Sequence, residues 1–295
     1  MRCLLVMNPA AGRRHGRDPS SILAAFQRHR LDAELVQTER RGHATDIIRE
    51  RGTGYDTVVI VGGDGTIHEA LQALNLERQR LAIIPWGTGN DFAYALGWPR
   101  ELDACVRRIA TSAERRVDLG AYKIEHLEGK FSGRFHNSVG FGFEALVNAE
   151  SQRVQHLKGP AVYVWAFLKA LPLYRSYRVD VEYDSVHHSG EVLLFAIGNG
   201  RRVGGTFHFF PDASLDDGML NLLFTDRIPP FRIPGAFSAL MRGRQAGSKQ
   251  FQNARAPNFG VHCALGIPVY ADGEFLTPHA TFAELRCLPG ALRSM

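Results

Sequence analysis

In the first part of the chain, short apolar runs alternate with segments of helical period. Cys3–Met7 is an apolar run closed by Asn8-Pro9-Ala10-Ala11-Gly12. Asp18-Pro19 supplies the cap and first residue of a helix whose apolar face is Ile22, Leu23 and Phe26. Ala33–Gln37 reads as the next strand, and His43–Arg51 as a helix stopped by Gly52. The run Thr57–Val61 feeds a glycine loop, after which Ile67, Ala70, Leu71 and Leu74 recur at i, i+3, i+4, i+7, the signature of an amphipathic helix. Leu81–Ile84 is a fourth strand ending in Pro85-Trp86-Gly87-Thr88-Gly89-Asn90-Asp91, and Phe92–Leu96 continues as helix until Gly97 and Pro99. Strands alternating with helices predict a mostly parallel sheet covered on both faces, a three-layer α/β/α domain.

The pattern changes near Arg116–Gly120. Val179-Asp180-Val181-Glu182-Tyr183 alternates with period two, and Glu191–Ile197 and Leu220–Thr225 are further strands. These predict an antiparallel β-sandwich, with helical pattern surviving mainly at Phe143–Val154 and Ala161–Leu171. The expected organisation is an α/β nucleotide-binding domain over residues 1–120 and a β-sandwich substrate domain over 121–283, with a ligand cleft between them; segment 284–295 is a candidate to return to the first domain.

Composition narrows this only a little. A chain of 295 residues with 45% hydrophobic content and net charge +5 is an ordinary folded protein with a mild basic excess. That excess suits nucleic acid, an anionic membrane surface or a polyphosphate equally well, and selects none of them. Cys3, Cys105, Cys263 and Cys287 are far apart and form no C-x-x-C pair, which argues against a structural zinc or a redox dithiol and for reduced thiols in a cytoplasm. The most hydrophobic stretch, Gly159–Leu173, contains Lys169 and Pro172 and falls short of the roughly 20 apolar residues of a membrane span, so a soluble protein is expected. Within it, Val162–Leu168, followed by Arg175 and Arg178, reads either as a core helix or as a membrane-facing amphipathic element.

Three strand ends carry glycine loops: Asn8–Gly12, Gly62–Thr66 and Gly87–Asp91. In an open parallel sheet ligands sit outside the carboxyl ends of the strands, so these loops define a mouth. A strand–glycine loop–helix unit aims backbone N–H groups and a positive helix end at one spot, which suits a phosphate. Asp64 within Gly62-Gly63-Asp64-Gly65-Thr66 would repel that phosphate unless a divalent cation lay between them, so the loop points to a metal-bound nucleotide. No Gly-Lys-Ser/Thr follows, and the G-x-G-x-x-G spacing is absent. Thr66 and Glu69 also have the spacing of a capping box, which competes with a ligand role for Glu69, and Asn90 or Asp91 can cap the Phe92 helix.

Taken together, Asn8-Pro9-x-x-Gly12, Gly62-Gly63-Asp64-Gly65-Thr66 and Pro85-x-Gly87-Thr88-Gly89-Asn90-Asp91-Phe92-Ala93 resemble the diacylglycerol kinase catalytic-domain family. Gly198-Asn199-Gly200, Gly204-Gly205, Pro211-x-Ala213-x-x-x-Asp217-Gly218-x-Leu220 and Asp272-Gly273-Glu274 extend the resemblance, in order, over nearly the whole chain. It implies an ATP- and Mg2+-dependent lipid kinase. Nucleotide contacts would come from Asn8, Thr38, Gly62, Gly63, Asp64, Gly65, Thr66, Glu69 and Thr88, with Asp64 acting through magnesium. A structural magnesium would be held by the Asp217 carboxylate and the carbonyls of Ser214 and Met219. The general base would be Asp272 or Glu274, and the residues leave that choice open. His68 departs from the asparagine common in relatives. The resemblance further implies a lipid substrate met at a membrane surface by a cytoplasmic, peripheral protein, no nucleic-acid partner, and room for a homodimer. Which lipid is phosphorylated is left open. An NAD kinase shares the Gly-Gly-Asp-Gly-Thr loop and is the alternative enzyme; the Pro85–Ala93 and Asp217 loops favour the lipid branch. A catalytically inactive nucleotide- or lipid-binding regulator is the non-enzyme alternative, disfavoured by retention of Asp64, Asp217, Asp272 and Glu274.

Overall fold

The computed structural model describes residues 1–12, 18–154, 160–170, 172, 175–226, 228–245 and 251–295. The chain divides into two compact units, Met1–Asp118 with Gly290–Met295, and Leu119–Pro289.

The first unit is built on four parallel strands, β1 (Arg2–Met7), β2 (Asp32–Gln37), β3 (Thr57–Gly62) and β4 (Arg80–Pro85), in the order β2-β1-β3-β4. β1 and β3 are the uninterrupted apolar runs, and Leu4, Leu5, Val6, Val58, Val59, Ile60 and Val61 are fully buried, as strands covered on both faces must be. The helices are α1 (Pro9–Gly12), α2 (Pro19–Arg28), α3 (His43–Arg51), α4 (Asp64–Leu71), α5 (Asp91–Ala95) and α6 (Leu102–Thr111). Asp18 caps α2 as its sequence predicts, accepting from the Ser20 N–H. The returning segment pairs Arg293 and Ser294 with Arg80 and Leu81 of β4, and Arg293 forms a two-pronged ion pair with Glu114. Arg108 on α6 binds the Met295 carbonyl at 2.7 and 3.0 Å.

The second unit is mainly antiparallel. Its strands are β5 (Arg115–His126, entering from the first unit), β6 (Gly129–Phe135), β7 (Ser138–Gly142), β8 (Tyr177–Tyr183), β9 (Val186–Gly198), β10 (Leu220–Asp226), β11 (Gln252–Ala256), β12 (Asn258–Ala271) and β13 (Glu274–Ser294). The long strands β9 and β12 change partner midway. β9 pairs first with β8 and then with β7 and β10, and β12 pairs first with β8 and then with β7. The sheet thereby closes around one core that includes Phe135, Phe141, Phe195, Phe259 and Val269. A second core, with Phe143, Leu193, Phe207, Phe210 and Leu240, lies under the helices α7 (Phe143–Gln152), α8 (Pro160–Ala170) and α9 (Ile233–Met241).

Two helical expectations meet a limit or a correction here. Leu171, the expected end of the Ala161 helix, and Gly159 and Leu173 of the apolar stretch lie outside the described residues. α8 is not a helix buried all round: Ala166 and Ala170 face inward, whereas Val164, Trp165 and Leu168 are exposed. All four cysteines are buried, and among the described residues none forms a disulfide.

Candidate active site

The order β2-β1-β3-β4 places the topological switch point between β1 and β3, where connections leave in opposite directions and open a crevice. The loops that follow these strands meet there. Asn8 donates its backbone N–H to the Val61 carbonyl at 2.9 Å and its side-chain amide to Thr66 Oγ1 at 3.2 Å. Its Oδ1 accepts the Ala10 N–H that opens α1. Thr38, at the end of β2, is buried and donates its N–H to the Met7 carbonyl. Thr88 is exposed on the third loop.

The second and third loops are fused at their backbones. A Cβ on Gly87 would stand 2.5 Å from the Gly63 Cα, and one on Gly63 would stand 3.0 Å from the Gly87 Cα. Only glycine permits that approach. Gly62 makes room in turn for the Thr66 hydroxyl, 2.8 Å from where a Cβ would be. The Asp64 carboxylate completes the junction: Oδ2 accepts the Asp91 N–H at 3.0 Å and Oδ1 accepts the Phe92 N–H at 3.1 Å. Asp64 therefore caps α5 from a neighbouring loop. Asn90 occupies the cap position of α5 at φ 51° without a side-chain cap bond of its own, and folds its amide back onto Gly87 N–H and C=O.

The capping box that Thr66 and Glu69 predict does not form. The cap position of α4 is Gly63, with no side-chain cap bond. Glu69 instead reaches α3, accepting the Gly42 N–H at 2.8 Å and the Ala44 N–H at 3.1 Å, while its carbonyl accepts the Thr45 hydroxyl. Two backbone donors at a helix start are a better match for its two oxygens than one local amide. Gly65 lies in the first turn of α4 and His68 is buried on that helix. The net result is a start of α4 with no side-chain cap, braced by Asn8, Asp64 and Glu69, at the carboxyl edge of the sheet.

In the second unit, the residues singled out downstream converge on one short segment, His136-Asn137-Ser138. The Asp272 carboxylate accepts all three of its N–H groups, at 3.0, 2.8 and 3.1 Å. Asn199 donates to the Asn137 carbonyl through its backbone and to the His136 carbonyl through its side chain. Asp272 and Gly273, at φ 50° and 91°, form the two-residue turn between β12 and β13. Glu274 follows at the start of β13, half-buried, opposite Ala271.

The Asp217 loop is held by other means than the magnesium set implied by the resemblance. Asp217 Oδ1 accepts the Met219 N–H at 3.0 Å, its other oxygen is ion-paired with Arg255, and Ser214 Oγ turns to Asp216. Arg255 is thus the cation that the Asp217 carboxylate meets here, where the resemblance implies a magnesium. Among the described residues no cluster of three or more His, Cys, Asp or Glu side chains could hold one.

No motif or spacing pointed to Glu144. It is buried on α7 and accepts a hydrogen bond from the Tyr270 hydroxyl, and burial pushes its carboxyl up to about 8 against the pull of that bond. In the unfolded chain it would titrate near 4.5. Between those values the folded state binds the extra proton, so stability falls as pH rises across the window, by up to about 1.4 kcal/mol per unit. Glu144→Gln is expected to remove that slope. Its melting temperature should gain on the parent from pH 5 to pH 8 and then level off; parallel melting curves would show that Glu144 is not buried as a neutral acid.

Comparison with known proteins gives the family and the shared fold. Residues 2–122 match the model of the diacylglycerol kinase catalytic domain, and residues 137–295 match that of the YegS C-terminal NAD kinase beta sandwich-like domain. The chain is 33% identical to the "Probable lipid kinase YegS-like" of Pseudomonas aeruginosa strain UCBPP-PA14, covering 99% of this chain and 93% of that protein. It is 28% identical to the diacylglycerol kinase of Bacillus subtilis strain 168, over 93% of this chain and 90% of the relative. A crystal structure of a diacylglycerol kinase from Bacillus anthracis superposes with a TM-score of 0.73 at 24% identity, over 99% and 96% of the two chains, which shows the shared fold.

Proposed function

We propose that this protein, which belongs to the diacylglycerol kinase catalytic-domain family, transfers the γ-phosphate of ATP to a hydroxyl group of a lipid. The observation that carries the reading is the junction at the β1/β3 switch point, where three loops leave an uncapped helix start beside an immobilised carboxylate. Backbone N–H groups at the start of α4 favour phosphate oxygens. Mg2+ entering with the nucleotide would neutralise charge on the transferring phosphoryl group. Asp64, which accepts the Asp91 and Phe92 N–H groups, orients the loops and would hold that ion with the nucleotide. Glu274 takes the proton from the attacking hydroxyl. Asp272 is the positioning residue, because its oxygens are already committed to three backbone donors.

The lipid acceptor is met at a membrane surface. Among the described residues no helix is long and apolar enough to cross a membrane. Trp165 and Leu168 on α8 and Phe231 before α9 stand exposed at 47%, 54% and 78%, which suits a peripheral contact.

Incubation with γ-labelled ATP and a total lipid extract tests the proposal. A labelled lipid is expected; label in NAD with none in lipid would transfer the protein to the NAD kinases, and label in neither would leave a non-catalytic regulator. Asp64→Ala is expected to lower turnover by roughly 100-fold or more through misplacement of the two loops, with the far-ultraviolet circular dichroism unchanged. Turnover within a few-fold of the parent would take Asp64 out of the mechanism.

A further inference from the structure

The Asp272-Gly273 turn, with Glu274 after it, is flanked by α7. Glu144, in the first turn of that helix, accepts a hydrogen bond from the Tyr270 hydroxyl. Tyr270 lies on β12 with Gly140 of β7 on one side and Phe275 of β13 on the other, next to the Ala271–Glu274 pair. Gly140 lets ring and carboxyl meet: a Cβ there would stand 2.1 Å from the Tyr270 ring and 2.8 Å from Glu144 Oε2. One turn further along α7, the Asn148 amide nitrogen lies 3.9 Å from where a Cβ on Gly273 would be. The helix thus runs beside the hairpin from Tyr270 to the turn.

α7 packs on β7, β9, β12 and α8, and among the described residues none of these brings a cation to Glu144. On β12, Tyr270 meets it, whereas Asp272 turns to the His136–Ser138 amides. β7 has no ionisable side chain, and neither has Leu194–Gly198, the part of β9 paired with it. On α8, Lys169 is exposed and lies over the Trp165 ring. On α7 itself, Glu150 pairs with Arg153. A charge on Glu144 would therefore be buried without a counterion, which is costly.

Resting on the kinase reading, we propose that Glu144, acting through Tyr270, is a positioning residue for Glu274: α7 braces the hairpin that carries the base, and proton loss from Glu144 loosens the brace. Burial holds the docked carboxyl up to about 8, against 4.5 when it is free of the fold. Between those values the docked helix binds the extra proton. Docking therefore weakens as pH rises, by up to about tenfold per unit, and levels off above about 8. Glu274 meets the attacking hydroxyl and not the nucleotide, so a loosened brace costs turnover and spares ATP affinity.

Hydrogen exchange of the protein without ATP or lipid reads the brace directly. Amide protection in α7 and in residues 272–275, corrected for intrinsic exchange and referred to the first unit, is expected to fall by up to about tenfold per unit from about pH 6 to about pH 8. Glu144→Gln, which has no proton to lose, should abolish that slope. A slope shared by the whole second unit would mean that Glu144 titrates only on unfolding. A slope in α7 that the hairpin lacks would mean that the two are not joined, and either result overturns the proposal. In lipid phosphorylation, Glu144→Leu should lower kcat by about tenfold or more with KM for ATP unchanged. Glu144→Gln, which keeps an acceptor for Tyr270, should restore most of that loss. The parent's kcat should also fall relative to that of Glu144→Gln as pH rises through the same window. Equal kcat in Glu144→Leu and the parent, or a parent-to-glutamine ratio flat across pH, would refute the role of Glu144 and leave the kinase reading standing. The expected exchange pattern in a protein that phosphorylates no lipid would sink the kinase reading instead, and with it the brace's part in transfer.

Discussion

Glu274→Gln is expected to lower kcat for lipid phosphorylation by about 10²–10⁴-fold, the contribution typical of a general base. The affinity for ATP should stay close to that of the parent. The side chain is half-buried at the first position of β13, so glutamine fits without repacking and keeps the Ala271 pairing. Single-turnover kinetics and ATP titration check both points. More than a tenth of the parental rate in Glu274→Gln would remove it as the base.

Asp272→Ala should act through folding. Its carboxylate is fully buried and receives three buried N–H groups. Each donor left unpaired costs about 1–3 kcal/mol, so the sum, on the order of 3–9 kcal/mol, rivals the 5–15 kcal/mol by which a domain is ordinarily stable. Alanine also tolerates the φ of 50° poorly. The second unit is expected to unfold at much lower denaturant concentration, with Asp272→Asn intermediate because the amide keeps one acceptor and suits the left-handed conformation. Unfolding by urea, followed by tryptophan fluorescence, measures it. A midpoint equal to the parent's would show that Asp272 is free for chemistry. The pair of variants separates the two acids of one motif: loss of turnover in a folded protein at Glu274, loss of the fold at Asp272.

β1, β3 and β4 were legible because buried parallel strands are unbroken apolar runs, and α3 was found at its observed bounds because Gly52 ends it. α6 was missed although Leu102, Cys105, Val106 and Ile109 carry its period, because its cap is Glu101 and not one of the usual small polar residues. β12 and β13 were missed because their alternation is broken by register shifts around His262, Ile267 and Val269. Asp272-Gly273 did carry a readable hairpin signal, masked by its chemical interest. What the sequence could not carry was partnership across distance. Glu69 caps a helix 25 and 27 residues earlier in the chain, and Asp64 one 27 and 28 residues later. His136–Ser138 escaped notice because it meets Asp272 chiefly through three backbone N–H groups. The family motifs drew attention to these loops, but the partners that each residue takes came only from the structure.

The contact of Gly63 with Gly87 has a consequence for how such a protein can diverge. Where two side chains collide, a second mutation can shorten one of them. Here the obstacle to a methyl group at either position is main chain, 2.5 to 3.0 Å away, and no substitution shortens a main chain. A lineage that drifts can exchange an acid, retune its pocket and accept a new lipid, yet it cannot replace either glycine without parting the loops. Joint loss of the two glycines would therefore mark a descendant that has abandoned the nucleotide more dependably than loss of any single acid.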